Sequence, residues 1–508
     1  MASAKVVKIA KTASGIPGLE HITKGGLPVG RTTLVAGTAG SAKTVFAAQF
    51  LAEGIMQFGE SGVFVTFEES PDDLRRNLAG FGWEVEAWEA AKQWRFVDAS
   101  PDASLLEVST GPFDLGGLIA RVEHAVQVVG AKRVILDSVS AIVGQLGDSS
   151  RIRHELFRVA SALRRMGVTA LITAERLGEY GDIARFGVEE FVADNVIVLR
   201  NILDEEKRRR TIEVLKLRGT DHSKGEFPFT VTDTGVVVIP LSAIELEQRS
   251  SNVRATSGIA ELDEMCGGGF FRDSIILVSG ATGTGKTLTV AHFVKGAADA
   301  GQRCLLFAFE ESREQLIRNA TGWGLDFESM EQAGLLKVVC AYPEMQGLED
   351  HLLTIERAVK EFKPSRIAVD SLSALERVST LKSFREFVIG LTSYVKHQEV
   401  TGLFTSTTPD LLGGTSITEA HISTITDTII LIRYVEMFGE MRRGLTVLKM
   451  RGSPHAKDIR EMTIDQDGMH IGKPLRNVTG ILSGNARQIS EPESVRLDEM
   501  LGRTRTDR

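Results

Sequence analysis

The chain has 508 residues, of which 59 are Lys or Arg and 67 are Asp or Glu, so its formal net charge is −8. Hydrophobic residues make up 43% and charged residues 25%, a globular balance that excludes a disordered chain, a collagen and a membrane protein. The acidic balance argues against a protein that coats nucleic acid, and the length predicts several domains. Three scattered cysteines imply no disulfide framework, which fits a cytoplasmic location.

Short apolar runs alternate with helical spacing in the first half of the chain. Strand-like runs lie at 31–37, 63–67, 134–136 and 170–173. Residues 44–58 have helical spacing and follow closely on the first of these runs. Continuous apolar strands separated by helices predict an α/β fold with a mostly parallel sheet that is covered on both faces.

The segment GTAGSAKT at 37–44, between that first strand and helix, is the first phosphate loop. It follows the pattern G-x-x-x-x-G-K-[ST], in which backbone N–H groups wrap phosphates, the lysine reaches the terminal phosphates and the hydroxyl binds Mg²⁺. Ala42 replaces the last glycine, which we expect to be tolerated if its φ is negative. The predicted nucleotide-binding residues are Gly37, Thr38, Ala39, Gly40, Ser41, Ala42, Lys43 and Thr44.

Carboxylates follow two of the predicted strands. Asp137 closes one apolar run, where a carboxylate beside Thr44 is expected to hold Mg²⁺. Glu68 and Glu69 end another, where a carboxylate can orient and deprotonate a water or a hydroxyl. An acidic pair also favours the first turn of a helix, so a structural role is the alternative.

Two cations, Lys216 and Arg218, lie two residues apart in a strand pattern and therefore share one face. Such a pair suits delivery to the γ-phosphate of a neighbouring subunit in a closed ring; a solvated strand face is the alternative. The basic run KRRR at 207–210 follows three acidic residues and indicates a charged hairpin tip rather than a nucleic-acid site.

The chain contains two copies of this pattern. The first phosphate loop recurs 243 residues later as GATGTGKT at 280–287, and VLKLRGTDH at 214–222 recurs as VLKMRGSPH at 447–455. Because the order of the shared motifs is preserved, two copies of one domain are the economical interpretation.

This interpretation fixes the expected domain organisation. We predict an N-terminal domain at 1–248 and a C-terminal domain at 249–482, with the boundary in the polar stretch 248–256. Residues 483–508 have no counterpart in the first copy and are expected to form a flexible tail.

The second copy carries the complete phosphate-loop pattern and the same charged residues. Thr287 and Asp370 are its predicted metal ligands, and no guanine-reading motif is present, so ATP is favoured as the nucleotide. Its candidate catalytic residues are Glu310, Glu311, Lys449 and Arg451. Its predicted nucleotide-binding residues are Gly280, Ala281, Thr282, Gly283, Thr284, Gly285, Lys286 and Thr287.

The copies differ in the stretch HISTITDT at 421–428. By the repeat offset, Ser423 and Thr424 correspond to Glu190 and Phe191, so only the second copy has hydroxyls there. A hydrolase does not need additional hydroxyls, whereas a phosphoacceptor site does. A threonine-rich strand entry is the alternative interpretation.

Several long runs in the sequence resemble the KaiC family of circadian clock ATPases. They are FEES at 67–70 and 309–312, DEMCGGGFF at 263–271, DSIIL at 273–277, AYPE at 341–344 and HISTITDTIIL at 421–431. The resemblance covers about residues 12–478. It implies RecA-like P-loop domains in a double-ring homohexamer, with ATP bound between subunits.

The resemblance also implies roles. It implies slow ATP hydrolysis by Glu68 and Glu69 in the first ring and reversible autophosphorylation of Ser423 and Thr424 in the second, with Glu310 as the base. Arg377 matches an interface arginine of the family. A KaiB-type partner is expected, a histidine-kinase output partner is possible, and whether a KaiA-type activator binds is left open.

Two other functions share part of this sequence pattern. A RecA-like or helicase-type motor would also have the loops, the ring and the trans cations, but it would need a basic channel, against which the charge of −8 speaks. A regulatory platform would bind ATP only to hold rings together. An autokinase and ATPase with a timing or signalling role is the favoured hypothesis.

Overall fold

A computed structural model describes residues 9–100, 115–143, 149–185, 189–204, 207–240, 251–408, 422–437, 439–475, 478–479 and 487–488. The chain divides into two compact units, Met1–Ala243 and Ile244–Arg508. The expected boundary between residues 248 and 249, and most of the predicted tail, lie outside the described residues. Within the described part, no helix is both long and apolar enough to cross a membrane.

The first unit alternates strands and helices as the sequence predicts. Its strands are β1 (Lys11–Thr12), β2 (Leu27–Pro28), β3 (Thr32–Gly37), β4 (Gly62–Thr66), β5 (Trp94–Asp98), β6 (Arg133–Asp137), β7 (Thr169–Glu175), β8 (Asn195–Asp204), β9 (Lys207–Leu217), β10 (Glu226–Thr232) and β11 (Gly235–Val238). Its helices are α1 (Leu19–Thr23), α2 (Lys43–Phe58), α3 (Pro71–Ala79), α4 (Val85–Ala90), α5 (Leu115–Val129), α6 (Ser140–Val143), α7 (Ser149–Arg165) and α8 (Glu189–Val192).

The second unit repeats this order. Its strands are β12 (Arg254–Ala255), β13 (Phe270–Phe271), β14 (Ile275–Gly280), β15 (Cys304–Ala308), β16 (Leu336–Cys340), β17 (Arg366–Asp370), β18 (Thr401–Thr407), β19 (Thr428–Met437), β20 (Glu440–Met450), β21 (Arg460–Asp465), β22 (Gly468–Pro474), β23 (Val478–Thr479) and β24 (Arg487–Gln488). Its helices are α9 (Ala260–Met265), α10 (Lys286–Asp299), α11 (Arg313–Gly322), α12 (Phe327–Gln332), α13 (Leu348–Phe362), α14 (Leu372–Glu376) and α15 (Leu381–His397), with 3₁₀ turns at Pro343–Met345 and Ile422–Thr424.

Among the described residues, each unit has one nine-stranded sheet, and the two sheets have equivalent strand orders. The first is ordered β11-β10-β9-β8-β3-β7-β6-β4-β5, and the second β16-β15-β17-β18-β14-β19-β20-β21-β22. In each, six neighbouring strands are parallel and the remaining three continue antiparallel from one edge. The predicted α/β fold with two mostly parallel sheets is therefore confirmed.

The strands of the first sheet are buried because both of its faces carry apolar side chains. Leu34 and Ala36 of β3 pack into one core, whereas Val35 between them packs into the core on the opposite face. Phe64 and Ile135 lie on the same face as Val35. Alternation along a strand sends successive side chains to opposite faces, so a continuous apolar run fits only a sheet that helices cover on both sides.

A buried arginine at the start of β6 ties the entering chain to the first sheet. Arg133 is only 1% exposed. Its guanidinium donates to the carbonyl oxygens of Phe50 at 2.7 Å, Ala13 at 2.8 Å and Ser14 at 3.2 Å. It also pairs with Glu60 at 2.7 Å. A buried guanidinium is tolerated when its donors are satisfied in this way.

Arg366 takes the same place in the second unit. It is 1% exposed and donates to the Thr256 carbonyl at 2.6 Å and the Gly296 carbonyl at 3.4 Å. The neutral Gln302 side chain accepts its third bond at 2.8 Å. In each unit, the buried arginine thus attaches the first segment of the chain to the start of a central strand.

Replacing Arg133 with Met should lower the free energy of unfolding by about 3 kcal/mol, because several buried carbonyls and Glu60 lose their donors. Urea unfolding followed by tryptophan fluorescence would measure it, since Trp83, Trp88 and Trp94 all lie in the first copy. Arg151→Met, at an exposed position of α7, is the matched control and should change stability by less than about 0.5 kcal/mol. Equal effects of the two substitutions would contradict the role given to Arg133.

Candidate nucleotide sites and acceptor segment

The first phosphate loop joins the end of β3 to the start of α2 and is braced by its own side chains. The Ser41 hydroxyl donates to the Thr38 carbonyl at 2.8 Å, and the Ser41 side chain is buried. The Lys43 amine reaches back over the loop and donates to the same carbonyl at 2.9 Å. The loop thus places the lysine amine beside the backbone that would surround a phosphate.

The second phosphate loop, between β14 and α10, has the same construction. The Thr284 hydroxyl donates to the Ala281 carbonyl at 2.8 Å. Lys286 donates to the carbonyls of Gly280 at 2.9 Å and Ala281 at 3.0 Å and is only 8% exposed. Burial lowers the pKa of Lys286, while Asp370 and then Glu310 raise it.

The residue before each loop lysine adopts a left-handed backbone conformation. Gly285 has φ +108°, and Ala42 has φ +66°. The condition on which we expected Ala42 to be tolerated, a negative φ, is therefore not met, because the helix begins from a left-handed turn in both copies. In that region an alanine is strained by about 1–2 kcal/mol relative to glycine.

The two units differ in the space around this left-handed residue. The Ala42 methyl packs against the apolar core of the first unit. A methyl added at Gly285 would lie 3.0 Å from Ile464, 3.2 Å from Met462 and 3.3 Å from Met469. The first copy thus accommodates a side chain where the β21–β22 hairpin crowds the second.

Each predicted metal-binding aspartate lies at the end of a central strand and contacts the predicted loop threonine. The Asp137 carboxylate accepts hydrogen bonds from the hydroxyls of Thr173 and Thr44. Burial raises the pKa of Asp137, while these hydroxyls and then Lys43 lower it. The structure therefore brings Lys43, Thr44 and Asp137 together.

The second site has the equivalent arrangement. Thr405 and Thr287 donate to the Asp370 carboxylate, whose pKa is raised by burial and lowered by both hydroxyls and Lys286. The described residues contain no group of three or more His, Cys, Asp or Glu side chains able to hold a metal ion by themselves. One carboxylate and one hydroxyl fit Mg²⁺, which keeps several water and phosphate ligands.

The two glutamates of each acidic pair face different partners. Burial, then Glu175 and Asp137, raise the pKa of Glu68, and Glu68 in turn raises the pKa of Lys43. Glu69 instead accepts a bond from Asn77 of α3 at 3.2 Å. Glu68 is therefore the member directed toward the phosphate loop.

The second pair divides in the same way. Glu310 raises the pKa of both Lys286 and Asp370, whereas Glu311 accepts a bond from Asn319 of α11 at 3.2 Å. Burial and then Asp370 raise the pKa of Glu311. Glu310 is paired with Arg377 at 2.7 Å within the chain, so this arginine lies at the site rather than apart from it.

The predicted cation pairs bind the segment that leads into the neighbouring strand. Lys216 donates to the carbonyls of Ala193 at 2.8 Å and Glu190 at 3.3 Å, and Arg218 pairs with Asp194 at 3.3 Å. Burial and then Arg218 lower the pKa of Lys216. In the first copy, each cation is thus engaged within its own unit.

In the second copy the equivalent cations hold the predicted acceptor segment. Lys449 donates to the Thr426 carbonyl at 2.7 Å, and Arg451 donates to the Thr424 carbonyl at 2.8 Å. Asp427 anchors the segment, since its carboxylate accepts from the Ile275 N–H at 2.9 Å. Lys396 pairs with the same carboxylate at 2.8 Å.

Thr424 is exposed on the 3₁₀ turn Ile422–Thr424, whereas Thr426 is buried. Ser423 belongs to the same turn, but its side chain and His421 lie outside the described part of the structure. Arg451 therefore holds the end of the turn and Lys449 the residues just after it, and Thr424 has the exposure that a phosphoacceptor requires.

Sequence reasoning missed several residues at these sites. Thr173 and Thr405, which bind the aspartates, are equivalent in the two copies and could have been found from the repeat. Arg210 and Arg443 also correspond: they donate to the Gly40 and Gly283 carbonyls, each at 3.3 Å. The basic run at 207–210 is therefore only partly a solvated turn, because Arg210 supports the phosphate loop.

Two further acids, Glu175 and Glu179, lie at the first site. The Thr38 hydroxyl donates to Glu179 at 2.6 Å, and both acids raise the pKa of Lys43 after Asp137 does. The equivalent of Glu175 is Thr407, so no shared motif marks it. Glu175 can be found in the sequence by looking for positions at which the two copies differ instead of positions at which they agree.

Comparison with known proteins extends over both copies. A family model described as "ATPase: KaiC" matches residues 12–243 and 255–476. A circadian clock protein KaiC3 of Synechocystis sp. is 67% identical over 490 residues, which cover 96% of this chain and 97% of that protein. A circadian clock oscillator protein KaiC of Synechococcus elongatus is 55% identical over 493 residues, covering 97% and 95%. A circadian clock oscillator protein KaiC 1 of Synechocystis sp. is 54% identical over 493 residues, with the same coverage.

Replacing Gly285 with Ala should weaken nucleotide binding at the second site by roughly 5–30-fold, because strain and crowding together amount to about 1–2 kcal/mol. Calorimetric titration with ADP in a Lys43→Ala background would isolate that site. Gly301→Ala is the matched control, since Gly301 has φ +65° and no atom within 4 Å of an added methyl. Unchanged affinity in Gly285→Ala, or an equal loss in Gly301→Ala, would contradict the proposed crowding.

Proposed function

The chain belongs to the KaiC family of ATPases, and we propose that it is a homohexameric, Mg²⁺-dependent ATPase and serine/threonine autokinase of a circadian or timing system. The carrying observation is that the two units share matching nucleotide sites but differ in one segment. In the second unit, Lys449 and Arg451 hold a segment that exposes Thr424 at the start of β19. This is the opposite end of the sheet from the unit's own phosphate loop, which suits delivery of the hydroxyl to a nucleotide on a neighbouring subunit. The first copy has no hydroxyl at the equivalent positions, Glu190 and Phe191.

In the first copy the reaction is hydrolysis of ATP. Glu68 accepts a proton from the attacking water, whose oxygen bonds to the γ-phosphorus while the bond to the ADP oxygen breaks. A carboxylate with a raised pKa is a stronger base, which suits Glu68 for this step. Lys43 stabilises the charge that moves onto the phosphates.

In the second ring the hydroxyl of Thr424 or Ser423 of one subunit takes the place of water at the nucleotide site of the next. Its oxygen bonds to the γ-phosphorus, its proton passes to Glu310, and ADP leaves with the electrons of the broken bond. The reverse transfer regenerates ATP from ADP. One carboxylate oxygen of Glu310 is bonded to Arg377, and the other is the one that accepts the proton.

Mg²⁺ would be held by Thr44 and Asp137 in the first copy and by Thr287 and Asp370 in the second. When bound, it neutralises charge on the phosphate oxygens. The aspartates are buried and already accept hydroxyl bonds, so each is positioned before nucleotide arrives.

The proposed assembly is a double ring of six chains. A cyclic interface would let the cations of one subunit reach a nucleotide on the next. The residues proposed for this are Lys216, Arg218, Arg377, Lys449 and Arg451. Clock-protein partners follow from the family, and a KaiB-type protein is the partner that we propose. A KaiA-type activator and a histidine-kinase output partner are left to binding experiments, as is the role of the tail at 483–508.

Incubation with Mg-ATP should phosphorylate Thr424 or Ser423, and Glu310→Gln should reduce that phosphorylation at least 100-fold because the hydroxyl loses its base. Phosphopeptide mass spectrometry over time would measure both. Glu311→Gln is the matched control: Glu311 is bonded to Asn319, so its loss should leave most of the transfer intact. Rings that bind ATP but stay unphosphorylated at both residues would contradict the autokinase.

In a Glu310→Gln background, Glu68→Gln should reduce phosphate release at least 100-fold, whereas Glu69→Gln should retain most of it. The raised pKa of Glu68 also sets the pH dependence, since protonation removes the base. As pH falls, kcat/KM should therefore decline at a pH above the ordinary value of 4.5 for a glutamate. A profile that is flat to pH 4.5, or equal loss in both variants, would count against Glu68 as the base.

A further inference from the structure

The residue beside the first glycine of each phosphate loop differs between the copies. In the parallel pairing of β3 with β7, Gly37 lies opposite Glu175; in the pairing of β14 with β18, Gly280 lies opposite Thr407. The backbones are fixed in the same way. The Glu175 N–H donates to Ser140 at 2.9 Å, and the Thr407 N–H donates to Ser373 at 2.8 Å.

The register also determines which face these side chains occupy. Glu175 lies two residues beyond Thr173 on β7, so the two side chains share a face. Thr173 donates to Asp137, the aspartate of the first site. Glu175 therefore extends from the end of a central strand on the face where the nucleotide machinery lies.

The charges around the first site agree with this placement. Burial is the largest cause of the raised pKa of Glu68, and Glu175 raises it more than any other side chain does. Glu175 also raises the pKa of Lys43, second among the carboxylates to Asp137. The charged groups that act on Glu68 are Glu175 at the end of β7, Asp137 at the end of β6 and Lys43 on α2, and the Ser138 hydroxyl lowers its pKa as well. Glu68 thus has a second carboxylate, Glu175, at the strand end where the second site has Thr407.

A structural role does not account for this acid. Glu175 pairs with Arg185 at 3.7 Å, and the two side chains are 41% and 50% exposed. An ion pair of that length and exposure contributes at most about 1 kcal/mol. A threonine at the equivalent position supports the same backbone without any such pair.

We propose that Glu175 is a water-positioning residue that commits the first site to hydrolysis, and that Thr407 leaves the second site selective for a protein hydroxyl. A water has two hydrogens, so two carboxylates can accept from it at once and aim its oxygen at the γ-phosphorus. A serine or threonine hydroxyl has one hydrogen, and Glu310 alone can accept it. The proposal rests on the hydrolysis assigned to the first copy above.

In this step Glu68 takes the proton of the attacking water and Glu175 keeps the other hydrogen bond. The new bond joins the water oxygen to phosphorus, the bond to the ADP oxygen breaks, and the products are ADP and inorganic phosphate. Glu175 itself is neither protonated nor consumed. Its loss should therefore affect the rate of turnover and leave ATP binding unchanged.

The test is phosphate release by the full chain in the Glu310→Gln background, in which second-site transfer is disabled. Glu175→Thr, which installs the residue of the second copy, and Glu175→Gln should each lower kcat about tenfold with KM unchanged. Glu175→Asp should recover part of the rate. Arg185→Gln breaks the ion pair but keeps the acid, and it should retain the rate of the unsubstituted background.

The reciprocal variant tests specificity in the second site. In a Glu68→Gln background, Thr407→Glu should raise the ratio of released phosphate to phosphate on Ser423 and Thr424 by at least fivefold. A merely structural role would lower stability or raise KM without moving this ratio.

The outcomes separate this inference from the function on which it rests. If the Glu310→Gln protein releases no phosphate, the hydrolysis assigned to the first copy is wrong. If it does release phosphate, and Glu175→Thr matches it in kcat, only the role of Glu175 is overturned. An equal loss in Arg185→Gln and Glu175→Gln would also overturn it, since the ion pair would then be the cause.

Discussion

Each unit of this protein buries a carboxylate at the end of its central strands, and the rest of the site is arranged around that charge. A buried carboxylate is unfavourable by several kcal/mol unless hydrogen bonds and a cation compensate it. Asp137 and Asp370 each receive two threonine hydroxyls and the field of the loop lysine. The threonines come from the neighbouring strand and from the phosphate loop. This single requirement therefore fixes how three separate segments meet.

The same scaffold can support two reactions because phosphoryl transfer depends on placement and charge more than on covalent chemistry by the protein. The loops, lysines, aspartates and directed glutamates are equivalent in both units. The units differ at a few positions around this shared site. Glu175 lies beside the first phosphate loop where Thr407 lies beside the second, and the second unit exposes Thr424 on a turn that Arg451 holds. In our proposal these few positions decide whether water or a side-chain hydroxyl receives the phosphoryl group.

The basic pair of the second unit connects the acceptor turn to the rest of the molecule. Arg451 donates to the Thr424 carbonyl of the turn and Lys449 to the Thr426 carbonyl just after it, and Asp427 partly balances their charge. A phosphate on Thr424 would bring about −2 charges next to these cations, which bind phosphate more strongly than a carbonyl. Phosphorylation would then rearrange the contacts of the turn, a physical route by which the modification could be read elsewhere in the assembly.

The sequence by itself determined the two copies, the α/β class, the strands that enter the phosphate loops and most of the charged site residues. These follow from patterns along the chain: apolar runs, loop spacing and the repeat offset. Even the pairing of Thr44 with Asp137 was predictable, because the ends of central parallel strands meet the phosphate loop at one edge of the sheet.

Only the tertiary structure decided which glutamate of each pair faces the loop, because neighbouring residues in a turn have no fixed direction until the following helix packs. Asn77 and Asn319 make that choice, and both lie on helices. The left-handed φ of Ala42 likewise follows from how α2 leaves its loop, not from residue type. Glu175 carries no motif, and strand pairing is what places it beside Gly37. The chain pattern determines which residues can do chemistry; the register of the sheet decides which of them meet.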